Sequence, residues 1–144
     1  MLKKIVVVII FNIILLTLVY FGWKVLFSIV PIVDNPENCT IVKLSYNSSF
    51  GNRVTKLKEE LRLDEKEVLE CLSKYKEEKT LRIYKGGYLG DSQFEIYIDT
   101  GDCLKIIKLG NENFSYYSYG DFKHQIIEAE NLKKDLIKIV EGGT

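Results

Sequence analysis

Asp99-Thr100-Gly101 follows the apolar run Phe94 to Ile98 and precedes Leu104, which puts a carboxylate at the end of a strand. Acid-base hydrolysis at such a place needs two carboxylates sharing one proton, supplied by two lobes or two subunits. The chain holds one copy, and Asp99-Thr100-Gly101-Asp102 between two apolar strands also has the composition of a hairpin turn, which is the expectation. His124 is the single histidine, so a His-rich metal site cannot form within one chain and any hydrolytic triad would depend on this ring. In Phe122-Lys123-His124-Gln125-Ile126 it is expected on the polar, exposed side of a strand. Cys39, Cys71 and Cys103 show no C-x-x-C spacing, which argues against zinc and dithiol redox chemistry. One disulfide with a leftover thiol allows three pairings that the sequence does not separate; Cys39 with Cys103 is the expected pair if a bridge forms, and Cys71 is expected as a buried thiol.

Gly86-Gly87-Tyr88-Leu89-Gly90 has the glycine content of a phosphate loop without the Lys-Ser/Thr of a P-loop, and it reads as a hairpin loop. Asn38, Asn47 and Asn113 each open an N-glycosylation acceptor triplet, which matters only in a eukaryotic secretory route. Tyrosine is the strongest remaining signal. Residues 34–144 hold 12 Phe and Tyr, and alternation sets Tyr97 off the Phe94, Ile96 and Ile98 face and Tyr117 and Tyr119 off the Phe114 and Tyr116 face. Tyr88, Tyr97, Tyr117 and Tyr119, with Asp99 and Asp102, therefore form the candidate binding surface, because a tyrosine serves apolar and polar partners alike. No motif calls for a cofactor or a metal.

The elements that must position these residues come from two different materials. The chain has 144 residues, 47% of them apolar, with 20 basic and 20 acidic side chains, a balance that excludes a disordered tail or a polycationic nucleic-acid binder. Residues 1–33 carry only Lys3, Lys4 and Lys24 as charges, which leaves 17 basic against 20 acidic residues in the remaining 111. Ile5 to Trp23 is uncharged over 19 residues, passing through Leu15, and as a helix spans roughly 28 Å, the thickness of a bilayer core. Lys3 and Lys4 precede it and Asp34 and Glu37 follow, so the positive-inside bias sets the N-terminus in the cytoplasm and the rest outside. Tyr20, Trp23 and Lys24 would sit at the far headgroups. A cleaved signal fits less well, because the apolar run is too long and no small-residue cleavage pattern follows it. The expected organisation is an anchor with a membrane-proximal extension over 1–33, a linker over 34–39 and an extracytoplasmic domain over 40–144.

Within that domain Thr40 to Tyr46 alternates as a strand, and Arg53 to Leu63 is read as a return strand or irregular link. Asp64 is a helix N-cap, with Glu67 completing a capping box and Leu63 with Val68 a hydrophobic staple. The stripe Val68, Leu69, Leu72 and Tyr75 predicts a one-faced helix ending near 76–79. Leu81 to Lys85, Phe94 to Asp99, Cys103 to Leu109 and Phe114 to Tyr119 predict an antiparallel meander, with Phe122 to Ile127 a further extended run. Leu132, Leu136, Ile139 and Val140 predict a closing helix stopped by Gly142 and Gly143. The expected class is α+β: a transmembrane helix, then a two-layer sandwich of the meander with two helices.

The run Leu63 to Thr80 (LDEKEVLECLSKYKEEKT), the meander, and Glu130 to Leu136 (ENLKKDL) together resemble small uncharacterised membrane-anchored or lipidated extracellular domains of A/T-rich Gram-positive bacteria. The resemblance covers about 95 residues and carries no activity with it. The functional expectation is a non-enzymatic interaction module of the cell envelope, with a small-ligand or glycan sensor as the alternative.

Overall fold

The computed structural model describes residues 2–26, 28–48, 55–61, 63–83, 92–120 and 122–142. Helix α1 spans Leu2–Leu26. Its segment Lys3–Val25 has a mean hydropathy of 2.8 and none of it is buried by the rest of the protein, so it is long and apolar enough to cross a membrane and the domain does not shelter it. Asn12 and Thr17, polar residues near its middle, bond back to the carbonyls of Val8 and Ile13, both at 2.8 Å.

Residues soon after α1 already belong to the sheet and core. Strand β1 (Ile29–Pro31) pairs antiparallel with β4 (Lys76–Ile83), and Ile32 and Val33 are buried in the core. The Ile32 amide donates to the Tyr75 carbonyl at 3.0 Å, and the Lys79 amide to the Ser28 carbonyl at 3.2 Å. Residues 29–39, expected as extension and linker, thus hold a strand, two core side chains and a 3-10 turn over Pro36–Asn38. The sequence hid this because three residues of strand are too few to show a period.

The remaining strands are β2 (Thr40–Asn47), β3 (Thr55–Leu57), β5 (Ser92–Asp99), β6 (Leu104–Gly110), β7 (Asn113–Tyr117) and β8 (Phe122–Ile126). They form one sheet in the order β1-β4-β8-β7-β6-β5-β2-β3. β5 to β8 are a true meander. The preceding strand does not continue it: β4 pairs with β8, at the far side from β5. The return strand expected after Asn52 is β3 on β2, followed by one helical turn, α2 (Lys58–Leu61). With α3 (Glu65–Lys74) and α4 (Ala129–Gly142) the described residues of the domain hold three helices, against the two expected.

α3 starts at the N-cap that its sequence predicts. Asp64 is the N-cap and its carboxylate accepts from the Lys66 amide at 3.0 Å, satisfying one of the orphan donors of the first turn. It ends at Lys74, earlier than expected, because the chain turns extended at Tyr75 and enters β4. Val68, Leu69, Cys71 and Leu72 on α3 and Ala129, Leu132, Leu136 and Val140 on α4 join one core with Leu44, Tyr46, Phe94, Ile96, Ile98, Ile107, Leu109 and Ile126 of the sheet. Two phenols lock the helices in place: Tyr46 Oη donates to Glu141 at 2.7 Å and Tyr75 Oη to Asp135 at 2.6 Å. Replacing fully buried Leu132 by alanine is expected to cost about 2–5 kcal/mol, and Asp64→Ala about 1 kcal/mol, in urea unfolding of the protein.

Candidate functional site

Pairing register decides which side chains share a face. Ile98, Lys105 and Tyr117 are successive partners across β5, β6 and β7, as are Ile96, Ile107, Ser115 and His124 across β5 to β8, and Glu77 faces Ile126. The inner face is therefore apolar over β2 and β5, while Lys105 on β6, Ser115 and Tyr117 on β7, His124 on β8 and Glu77 and Lys79 on β4 give it a polar side next to Ile107, Leu109 and Ile126. On the polar half a single carboxylate collects three donors. Glu77, fully buried, accepts from Lys105 Nζ at 2.7 Å and His124 Nδ1 at 3.0 Å on Oε1, and from Ser115 Oγ at 2.5 Å on Oε2.

Burial pushes the Glu77 carboxyl up, but the His124 and Ser115 hydrogen bonds and the Lys105 charge outweigh it and hold it below the usual carboxylate range. Lys105 has one carboxylate to set against nearly complete burial, so it lies below the ordinary lysine value despite its partner. Its ammonium also donates to the Ile32 carbonyl at 2.5 Å and stands 5.1 Å from the centre of the Tyr117 ring. The ion pair thus grips the strand segment that follows α1.

A serine, a histidine and an acid meet here in an order that hydrolysis does not use. Ser115 gives its proton to Glu77, and Glu77 also orients His124, so the carboxylate sits in the middle and the serine is not set against the imidazole as its base. An ionised carboxylate only accepts, so Nδ1 carries the imidazole proton. His124 itself is 8% exposed and lies edge-on to Tyr117 at 5.6 Å, which corrects its expected place on the solvent face. The period of two groups it with Ile126, not with Lys123 and Gln125.

Above this network lies a cleft of about 540 Å³. One wall is the segment from Val30 to Asn38, with Asp34, Asn35 and Asn38; the other is the turn Thr100 to Cys103, with Lys79, Tyr117 and Tyr119 completing it. Tyr117 and Tyr119 stack at 5.5 Å and 17°. Burial, with the nearby Glu77 charge, pushes the Tyr117 phenol up to about 12. The Asp99-Thr100-Gly101-Asp102 string is a hairpin turn, as expected: the Gly101 amide donates to Asp99 Oδ1 at 2.8 Å, Gly101 takes φ +87°, and the Thr100 amide donates to the Cys103 carbonyl at 3.0 Å.

The candidate binding residues therefore separate. Tyr117, Tyr119 and Asp102 line the cleft, and Asp99 is exposed in the turn beside it. Tyr97 lies on the opposite face, opposite Ile106 and Tyr116, where its hydroxyl donates to Glu95 at 2.6 Å and Lys43 stands 5.1 Å from its ring. Tyr88 and the Gly86 to Gly90 loop lie outside the described residues. Of the residues expected in a membrane anchor, Ile5, Leu15, Tyr20 and Trp23 are all exposed on α1, with the Lys24 ammonium 6.0 Å from the Tyr20 ring.

Cys39, Cys71 and Cys103 are free thiols, Cys71 buried and the other two half-buried. Cys39 and Cys103 both line the cleft, and the Cys103 Sγ lies 3.3 Å from the Thr100 hydroxyl. Burial raises the Cys39 thiol, with Lys105 opposing, and raises Cys71 to about 11. Among the described residues no cluster of three or more His, Cys, Asp or Glu is placed to hold a metal ion. Glu77, Lys105 and Ser115 were not singled out in the sequence. No protein-family model, curated protein or solved structure matches the chain.

Two outcomes follow. Because the Glu77 carboxyl is held below its ordinary 4.5, its contribution to stability is complete above that pH and is lost as the pH falls through the lower folded-state value. Glu77→Gln is expected to lose about 3–5 kcal/mol near neutrality, by stranding the Lys105 charge, and the gap to the parent narrows below pH 4.5 when urea curves are compared. In native protein a thiol reagent is expected to modify Cys39 and Cys103 before Cys71, which reacts only on unfolding, as read by peptide mass spectrometry.

Proposed function

We propose that the protein is a single-pass membrane protein with its N-terminus in the cytoplasm and its α+β domain displayed outside, the sheet as one layer and α3 with α4 as the other. It acts as a non-enzymatic binding module of the cell envelope, and its binding place is the cleft beside the juxtamembrane segment. The observation that carries this reading is the convergence of Tyr117, Tyr119 and Asp102 with Asp34, Asn35 and Asn38 around one cavity of about 540 Å³. That volume is in the range of small-molecule sites. Stacked phenols beside carboxylates and amides offer flat apolar surface with hydroxyl-binding groups around it, the chemistry that suits a sugar unit or a small polar ligand. Buried Lys105 is already paired with Glu77 and bonded to the Ile32 carbonyl beside the Tyr117 ring, which leaves Lys79 as the unpaired cation in a lining that also carries two carboxylates; a neutral or cationic ligand fits better than an anion.

A protein partner is the second reading, and the outer face favours it. Tyr97, Ile106 and Tyr116 are register partners there, with Phe114 stacked on Tyr116 at 5.9 Å, the aromatic composition that protein contacts enrich. Thermal unfolding of the purified full chain against a panel of neutral and amino sugars separates the two. Under the cleft reading one sugar raises the Tm, by about 4–8 °C per kcal/mol of binding energy for a small domain, and the double variant Tyr119→Ala, Asp102→Asn abolishes the shift. No shift with any sugar, together with a crosslinked external protein lost in Tyr97→Ala, would establish the outer face instead.

A further inference from the structure

Thr17 and Asn12 both lie within the apolar segment of α1, and their hydrogen bonding differs in a way that matters in lipid. The Thr17 hydroxyl has one proton and gives it to the Ile13 carbonyl at 2.8 Å, so its donor is spent. The Asn12 amide gives one of its two N–H groups to the Val8 carbonyl at 2.8 Å, and its second N–H and its oxygen have no partner on the helix. Asn12 stands near the middle of Lys3–Val25 and is exposed, so in a bilayer both groups would face hydrocarbon, where nothing else satisfies them.

The spacing around Asn12 names the partner. Ile5, Asn12 and Val19 recur every seven residues, and Val8, Leu15 and Gly22 follow each by three. At 3.6 residues per turn the six lie within an arc of about 100°. β-branched residues at the first position, Leu15 at the second and one asparagine at a first position form the pattern that pairs two parallel helices in fixed register. At Gly22 a Cβ would meet nothing within 4 Å, and the missing side chain lets two backbones approach at the outer end.

We infer that α1 pairs with α1 of a second copy of this chain, in parallel, with Asn12 from each helix giving its free N–H to the other's amide oxygen. The inference rests on the membrane-spanning reading of α1 and is independent of what the cleft binds. Each protomer's cleft begins a few residues after α1, so pairing would bring two binding domains to one place on the membrane.

The test reconstitutes the full chain, labelled at its amino terminus with donor and acceptor dyes, into phosphatidylcholine vesicles and floats them. Energy transfer in the floated fraction that falls on lipid dilution is the expected result. Asn12→Leu is expected to raise the dissociation constant about 3- to 30-fold, with Asn12→Gln and Thr17→Val remaining near the parent. Transfer in Asn12→Leu equal to the parent, or vesicle-bound parent without transfer, overturns the pairing alone. A chain that does not float with the vesicles overturns the membrane reading and the pairing with it.

Discussion

Lys105 and Glu77 bury opposite charges on the inner face of the sheet, and much of the half of the domain nearest α1 is arranged around keeping them satisfied. Removing two charges from water is costly, and close pairing with further hydrogen bonds is what makes it tolerable. The protein supplies those bonds from four directions: Ser115 on β7, His124 on β8, the Ile32 carbonyl, and the Tyr117 ring over the ammonium. β4 must therefore lie beside β8, since only there does a carboxylate at position 77 reach donors on β6, β7 and β8 at once. The order of the sheet and the position of the ion pair are one constraint.

A second consequence concerns the way the domain meets α1. Because the Lys105 ammonium holds the Ile32 carbonyl, and β1 adds to the edge of the sheet at β4, the residues after the apolar helix are fixed to the core. The same residues then turn to form one wall of the cleft, from Val30 to Asn38. A ligand lodged between that wall and the Thr100 to Cys103 turn would touch the segment that leads directly to the helix. Under the proposed function, binding and anchoring would share a structural element.

What the sequence made legible follows from where side chains are apolar. The α3 N-cap at Asp64, the stripes of α3 and α4, the four strands β5 to β8 and the Asp99 to Asp102 turn each carry a local signal strong enough to read. β4 was hidden because its inward positions, Glu77 and Lys79, are polar, so KEEKT looked like the solvated end of a helix. The same inversion misplaced His124: alternation sets it with buried Ile126, but an imidazole between lysine and glutamine suggested solvent. Lys105 shares a face with Ile107 and Leu109 by the same period, and that was the available signal for a buried lysine. The separation of Tyr97 from Tyr117 was also implicit in their strands, but only the register across β5, β6 and β7 shows that the two lie on opposite faces.

The central claim is that residues 29–33 belong to the folded domain and are held there by the Lys105 and Glu77 pair. Hydrogen exchange of the intact protein, followed by mass spectrometry of peptides covering this segment, tests it directly. The account predicts that the Ile32 amide, bonded to the Tyr75 carbonyl, and its β1 neighbours are protected to the same extent as their β4 partners, and that Lys105→Met lowers this protection before it affects β5 and β6. Exchange of residues 29–33 at the rate of an unstructured chain, while β4 stays protected, would contradict it.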